Sequence, residues 1–138
     1  MIHRLLGMLL KPFQCLVLGA VLLMPIGFAN ISEGEPALVV LSASWCAKCR
    51  ELPEIVDGTL QELNSENLRV VTLDVDNPST AEVASRYDIT LNGNDVPQVY
   101  LFSGSKTILL MSASEQKIGH TEESQAHLIQ ALRRQGIQ

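Results

Sequence analysis

Apolar positions along the chain fall into one long run near its start and several shorter runs behind it. Residues 37–42 are almost entirely apolar, with β-branched residues in the middle, and the run is too short for a helix. It therefore predicts a strand that is buried on both faces. Apolar runs at 68–75, 96–102 and 106–111 predict three further strands, and the Gly-containing turn at 103–105 predicts a hairpin between the last two.

Helical spacing marks other segments. Residues 47–66 predict a helix, and Pro53 is expected to kink it one turn past its start. Its apolar face is expected to consist of Leu52, Val56, Leu60 and Leu63. A short helix is predicted over 77–87, with Asn77 as its N-cap and Pro78 at the first helical position.

A last helix is predicted from an N-cap at Thr121 to Arg134, with acidic residues in its first turn and basic residues in its last. The order of elements is then βαβαββα. The first two crossovers are expected to join parallel strands, and the hairpin is antiparallel. We therefore predict an α/β fold, a mixed four-stranded sheet with helices on both faces.

Composition and charge narrow the picture further. The chain has 138 residues and few aromatic ones, which predicts one domain with a core of Leu, Val and Ile. Arg4 and Lys11 are the only charged residues among the first thirty, so the rest carries eight basic and fifteen acidic residues. A body this acidic argues against a nucleic-acid partner.

The N-terminal segment, residues 1–29, has the pattern of a signal peptide or a membrane anchor. A basic start precedes an apolar run, and the small residues Gly27 and Ala29 follow it. If the segment is retained, residues 13–29 are the expected membrane tether. Cys15 lies within this run and is interpreted as a small apolar residue. Both alternatives place the rest of the chain outside the cytoplasm, in a periplasm or lumen, behind a polar connector at 30–36.

The chemistry lies between the first strand and the first predicted helix, where Trp45 precedes a Cys46-Ala47-Lys48-Cys49 motif. Because Trp45 stands beside the candidate nucleophile, it is expected to cover the sulfurs. An unperturbed thiol has a pKa of about 8.5, so only about 3% is thiolate at pH 7. We expect the helix N-terminus and the charge of Lys48 to raise that fraction for Cys46. Cys46 is therefore the candidate nucleophile, and Cys49 the resolving thiol that attacks the mixed disulfide.

An alternative use of the same two cysteines is the binding or delivery of a soft metal ion such as Cu(I). Such a site would need a Met or His near the pair, and Met111 and His120 are distant from it in sequence. His120 and His127 are interpreted as surface residues. We therefore expect no metal and no cofactor in the leading interpretation, a thiol–disulfide oxidoreductase.

These motifs resemble the thioredoxin superfamily over about residues 37–132. The likeness rests on the Trp-Cys-x-x-Cys motif, Pro53, Val96-Pro97, and Lys-Ile-Gly before the last helix. It implies a minimal thioredoxin fold in a domain at 37–136, with Pro97 cis beside the two sulfurs and Val96 offering backbone hydrogen bonds to substrate. Cysteine-containing protein substrates and a thiol–disulfide redox partner are implied. The Cys-Arg-Glu-Leu run is most similar to membrane-tethered relatives of photosynthetic membranes and bacterial envelopes.

The sequence departs from the superfamily pattern in three places. Only residues 30–36 are expected to be available for the extra first strand and helix of full thioredoxins, so the fold is expected to be the minimal version. Val40 stands where those proteins carry a buried Asp that helps to move protons at the second cysteine. The loop from 87 to 97 is longer than usual and is expected to border the site.

Overall fold

The computed structural model describes residues 35–92 and 95–138. The predicted signal peptide or anchor, including the proposed tether at 13–29, lies outside the described residues. Within the part that is described, no helix has the length and apolarity needed to cross a bilayer.

Four strands form one sheet in the order β2-β1-β3-β4. They are β1 (Ala37–Ser42), β2 (Arg69–Asp74), β3 (Gln98–Phe102) and β4 (Thr107–Met111). β1 pairs with β2 in parallel and with β3 antiparallel, and β3 and β4 form an antiparallel hairpin. The predicted mixed four-stranded sheet is confirmed, although β2, β3 and β4 are one or two residues shorter than their apolar runs.

The expectation that the second crossover joins parallel strands is wrong. After β2 the chain runs to the far end of the sheet, where the Tyr87 carbonyl accepts a hydrogen bond from the Thr107 hydroxyl. β3 nevertheless starts with Gln98 opposite Leu41, at the carboxyl end of β1. It therefore runs antiparallel to β1.

The predicted helix over 47–66 is two elements, a 3-10 turn at Lys48–Arg50 and helix α1 at Leu52–Glu62. Pro53 explains the break. In a continuous helix its ring would clash with the carbonyl of Cys49, four residues earlier. It lies instead in the first turn of α1, where its missing N–H costs nothing. Where a kink in one helix was predicted, the structure has the beginning of a separate helix, α1.

Helix α2 is Thr80–Ser85 and helix α3 is Thr121–Arg134. Both have N-caps other than those predicted. The Asn77 carboxamide oxygen accepts bonds from the Ser79 N–H and hydroxyl at 3.0 and 2.8 Å, which builds a turn before α2, and Ser79 becomes the N-cap. At α3 the first helical bond runs from the Ser124 N–H to the His120 carbonyl, so His120 is the N-cap.

The sheet separates two apolar clusters, as the prediction of helices on both faces requires. On what we call the helical face, Leu38 and Val40 of β1 pack in the same cluster as α1 and α3. The disulfide face holds Val39 and Leu41 of β1, both cysteines, α2 and part of residues 87–96. The core consists mainly of Leu, Val and Ile, as the composition predicts.

The two helices of the helical face approach closely at Gly58. A Cβ at this position would lie 2.7 Å from the carboxamide oxygen of Gln125 on α3. The carboxamide is the end of a flexible side chain that can shift, so this contact alone does not require glycine at position 58.

Candidate active site

The two cysteines of the motif form a disulfide just after β1. Cys46 and Cys49 have Cα atoms 5.2 Å apart and belong to the buried cluster of the disulfide face. They are 7% and 6% exposed, so the sulfurs lie at the edge of the core rather than in open solvent.

A backbone hydrogen-bond donor points at the first sulfur. The Cys49 N–H lies 3.2 Å from Cys46 Sγ. When the pair is reduced, such a donor favours the charged form of the acceptor, because hydrogen bonds to ions are about twice as strong as those between neutral groups. The geometry therefore favours Cys46 as the nucleophile.

The source of this stabilisation differs from the expectation. Cys46 is not in the first turn of an α-helix, because α1 starts only at Leu52. The dipole effect falls off within the first turn, so α1 contributes less than predicted. The Cys49 N–H, in the 3-10 turn, takes its place.

Val96 and Pro97 lie against the disulfide. Their peptide bond is cis, as the resemblance implies. Both residues are buried, and the Val96 carbonyl oxygen lies 3.7 Å from Cys46 Sγ. The backbone of this segment is thus part of the site, and it precedes β3 rather than beginning it.

A polar network fixes the start of β3 beside Pro97. The Gln98 side chain donates to Asp95 Oδ2 and accepts from the Tyr100 hydroxyl, each at 2.8 Å. Burial, with a further effect of the Asp95 charge, raises the pKa of Tyr100, so its hydroxyl stays protonated as the donor. The network holds the segment that carries Val96 and Pro97.

Lys48 is held by hydrogen bonds to a segment that is distant in sequence. Its ammonium donates to the Ala113 carbonyl. Its own carbonyl accepts from the Gln116 side chain at 2.8 Å, and Gly119 N–H donates to the next turn at Glu51 Oε1, 2.9 Å away. No pattern in the sequence pointed to Ala113, Gln116 or Glu51, because these contacts join segments more than sixty positions apart.

Trp45 is 61% exposed, so its indole projects into solvent beside the disulfide. Its role in covering the sulfurs stays a prediction. Val40, at the position of the missing carboxylate, is paired across the sheet with Thr72. Both line a cavity of about 150 Å³ that also touches Cys49, and Ser42 and Asp57 supply its other polar groups. The cavity beside Cys49 is thus lined by apolar side chains together with the hydroxyls of Ser42 and Thr72 and the carboxylate of Asp57.

The two histidines lie at the surface, as predicted. His120 and His127 pair with Glu123 and Glu115 at 3.4 Å, and their side chains are 55% and 35% exposed. No group of three or more His, Cys, Asp or Glu residues able to hold a metal ion occurs within residues 35–92 and 95–138. The Cu(I) alternative stays a hypothesis.

Comparison with known proteins gives the same family as the resemblance of the motifs. Residues 28–132 match the family model described as Thioredoxin. Thioredoxin 1 of Nostoc sp. strain PCC 7120 is 29% identical over 99 residues, which cover 71% of this chain and 85% of that protein.

Solved structures of thioredoxins are similar at lower identity. The oxidised thioredoxin of Plasmodium falciparum has a TM-score of 0.50 at 19% identity, with 75% of this chain and 84% of that chain covered. This likeness concerns the fold alone. Thioredoxin of Trypanosoma brucei brucei has a TM-score of 0.49 at 19% identity, with 75% and 76% covered.

Proposed function

The chain belongs to the thioredoxin family and is a thioredoxin-like disulfide oxidoreductase, and from this premise we propose that it exchanges disulfides with protein substrates outside the cytoplasm. Cys46 is the nucleophile and Cys49 the resolving thiol. One observation carries the assignment of roles: Cys46 Sγ has the Cys49 N–H at 3.2 Å and the Val96 carbonyl at 3.7 Å.

The exchange proceeds in two displacements. In the reducing direction the Cys46 thiolate attacks one sulfur of a substrate disulfide, and the other substrate sulfur leaves as a thiolate and takes up a proton. Cys49, as thiolate, then attacks Cys46 Sγ. The second substrate thiol leaves, the Cys46–Cys49 disulfide forms, and two electrons have passed to the substrate. The reverse sequence oxidises a dithiol, and the potential of the redox partner sets the direction.

The surroundings of the disulfide favour a polypeptide substrate. Within the described residues, no backbone–backbone hydrogen bond involves Val96, so its backbone is available to an extended chain. Two of the large exposed apolar side chains, Trp45 and Ile118, adjoin the site: Trp45 precedes Cys46, and Ile118 precedes Gly119, which binds Glu51. Exposed apolar side chains around a reactive centre are typical of a docking surface for protein segments.

The test compares two matched serine variants on a model protein disulfide. Cys46→Ser should abolish exchange, because the remaining thiol of Cys49 lacks the N–H donor that stabilises the Cys46 thiolate. Cys49→Ser should accumulate a mixed disulfide with the substrate through Cys46, visible by non-reducing electrophoresis and lost on reduction. The proposed roles are wrong if Cys46→Ser exchanges as fast as the parent. They are also wrong if the mixed disulfide accumulates through Cys49 in the Cys46→Ser variant and not through Cys46 in the Cys49→Ser variant.

The location outside the cytoplasm is supported by the basic start and the apolar run in residues 1–29. We propose that this segment exports the chain and that, where it is not cleaved, residues 13–29 tether it to the membrane. A reporter enzyme that is active only outside the cytoplasm, fused after residue 138, should be active with the full chain and inactive when residues 2–29 are removed. Equal reporter activity in both fusions would contradict export, and the mass of the mature chain separates cleavage from retention.

A further inference from the structure

Residues 112–119, between β4 and α3, lie on the active-site turn through three hydrogen bonds. The Lys48 ammonium donates to the Ala113 carbonyl. The Gln116 carboxamide N–H donates to the Lys48 carbonyl at 2.8 Å, and Gly119 N–H donates to Glu51 Oε1 at 2.9 Å. The turn that carries the cysteines is thus held by a segment that follows the whole sheet in sequence.

Gln116 is the most deeply buried of these partners. Its side chain is 1% exposed, and its carboxamide oxygen has no hydrogen-bond partner in the part of the chain that the structure describes. Burying an amide with half of its hydrogen-bonding capacity unused is unfavourable. The hydrogen bond from its nitrogen to the Lys48 carbonyl is therefore the contact that offsets part of the cost of burying this side chain.

The bonded carbonyl belongs to the peptide unit that matters for the chemistry. The Lys48 carbonyl and the Cys49 N–H are the two ends of one planar peptide group. Gln116 holds the oxygen end, and the N–H end lies 3.2 Å from Cys46 Sγ. Rotation of this peptide would move the N–H away from the sulfur, and a donor on the carbonyl also polarises the N–H and strengthens its bond.

We propose that Gln116 is a positioning residue for the exchange reaction: it orients the Lys48–Cys49 peptide so that the Cys49 N–H stabilises the Cys46 thiolate. The Glu51 N–H, which also donates to the Lys48 carbonyl at 3.2 Å, assists it from within the turn. The inference rests on the proposed role of Cys46 as the nucleophile. Beyond that role, it assigns a function to Gln116, which contacts neither sulfur and acts through the Cys49 backbone N–H.

The test measures the thiolate of Cys46 directly in the reduced full-length chain. Gln116→Met keeps the size of the side chain and removes the donor. We expect the alkylation rate of Cys46 at pH 7, followed by peptide mass spectrometry, to fall about five-fold, which corresponds to roughly 1 kcal/mol. At a pH above the ionisation of a free thiol the two rates should converge, because the thiol is then fully ionised in both proteins.

Thr59→Val is the matched control. The Thr59 hydroxyl is fully buried and donates to the Ile55 carbonyl at 2.7 Å, so its removal deletes a bond of the same type on the helical face. We expect lower stability in this variant and an unchanged alkylation profile. Gln116→Leu, which also lacks the donor, serves if Gln116→Met does not fold.

Two results would overturn the proposal. One is an alkylation rate at pH 7 equal to that of the parent. The other is a rate lowered by the same factor at every pH, which would indicate a change of access rather than of ionisation. Disulfide exchange by the parent in the same preparation reports separately on the proposed function, so failure of one is distinguishable from failure of the other.

Discussion

The helical face and the disulfide face of the sheet are covered in different ways. On the helical face, α1 and α3, of 11 and 14 residues, close the core with regular backbone. On the disulfide face, the cover is the six-residue α2, the 3-10 turn and four apolar residues outside helices and strands, Tyr87, Ile89, Leu91 and Val96. The cysteines, the cis peptide and the polar network beside it all lie at this less regular side.

The two faces thus have different roles: the helical face supplies most of the stability, and the disulfide face carries the reactive groups. A helix satisfies its own backbone, whereas a turn leaves N–H and carbonyl groups available to a sulfur or a substrate. The reactive groups therefore need a face with little regular structure, and the opposite face supplies rigidity. We expect substitutions on the helical face to change the free energy of unfolding most, and those on the disulfide face to change it less.

The sharpest test of this contrast is the same substitution on both faces. Leu128 on the helical face is fully buried, and Leu73 on the disulfide face is 7% exposed. We expect Leu128→Ala to lower the free energy of unfolding by about 4 kcal/mol and Leu73→Ala by about 2 kcal/mol. The cavity that Leu73→Ala would leave is bordered by chain without regular structure, which can collapse into it. Denaturant titration measures both, and equal losses would refute the contrast.

A smaller effect is expected where the disulfide face is held by a polar contact. Tyr87 is buried, its hydroxyl accepts from the Arg69 guanidinium at 3.0 Å, and its ring packs edge-to-face on Phe102. Tyr87→Phe keeps the ring contact and removes the hydroxyl, so we expect a loss of about 1 kcal/mol by thermal or denaturant unfolding.

Tyr100→Phe is the control for the Tyr87 variant, because it removes a hydroxyl bonded to Gln98 from a half-buried position. Its cost should be lower, since solvent can replace the lost partner. If the two variants lose the same stability, burial does not decide the cost of these bonds.

The smallest effect concerns pH and the segment that holds the active-site turn. The Ser112 backbone N–H, and further its hydroxyl and His127, lower the pKa of Glu115. A lowered folded-state pKa contributes stability above the unfolded value and loses it as the pH falls through the folded value. Glu115→Gln should therefore destabilise the protein at neutral pH, by roughly a few tenths of a kcal/mol because the side chain is 42% exposed.

The difference between the Glu115→Gln variant and the parent should disappear in acid, where the parent carboxyl is protonated as well. Thermal unfolding across the acid range measures it. Glu123→Gln is the more exposed control: hydrogen bonding and charge from Lys117 also lower the pKa of Glu123, but its side chain is 60% exposed. If the Glu115→Gln variant and the parent differ more as the pH falls, the sign of this linkage is wrong.

Much of the fold was predictable because its signals are local. β1 was predicted with its observed bounds, and all four strands and the apolar face of α1 follow from short runs and helical spacing. The boundaries that failed depend on single residues that are compatible with more than one local structure. Pro53 starts a helix instead of kinking one, and Asn77 builds a turn instead of capping a helix.

The candidate site was predictable only in part. The chemistry of Cys46 and Cys49 follows from the motif, and Val96-Pro97 from the family resemblance. Gln116, Ala113 and Glu51 were missed, because each is an ordinary polar or small residue in a segment without regular pattern. Their importance depends on a contact across the fold, and no local signal encodes such a contact.

The sequence by itself determined the elements, the redox pair and the family, since period, turn chemistry and motif spacing act over a few residues. The tertiary structure alone decided the direction of β3 and the three hydrogen bonds that join residues 112–119 to the active-site turn. These depend on where distant segments meet. A hydrogen bond or a strand direction is fixed by the position of two groups in space, and sequence separation carries almost none of that information.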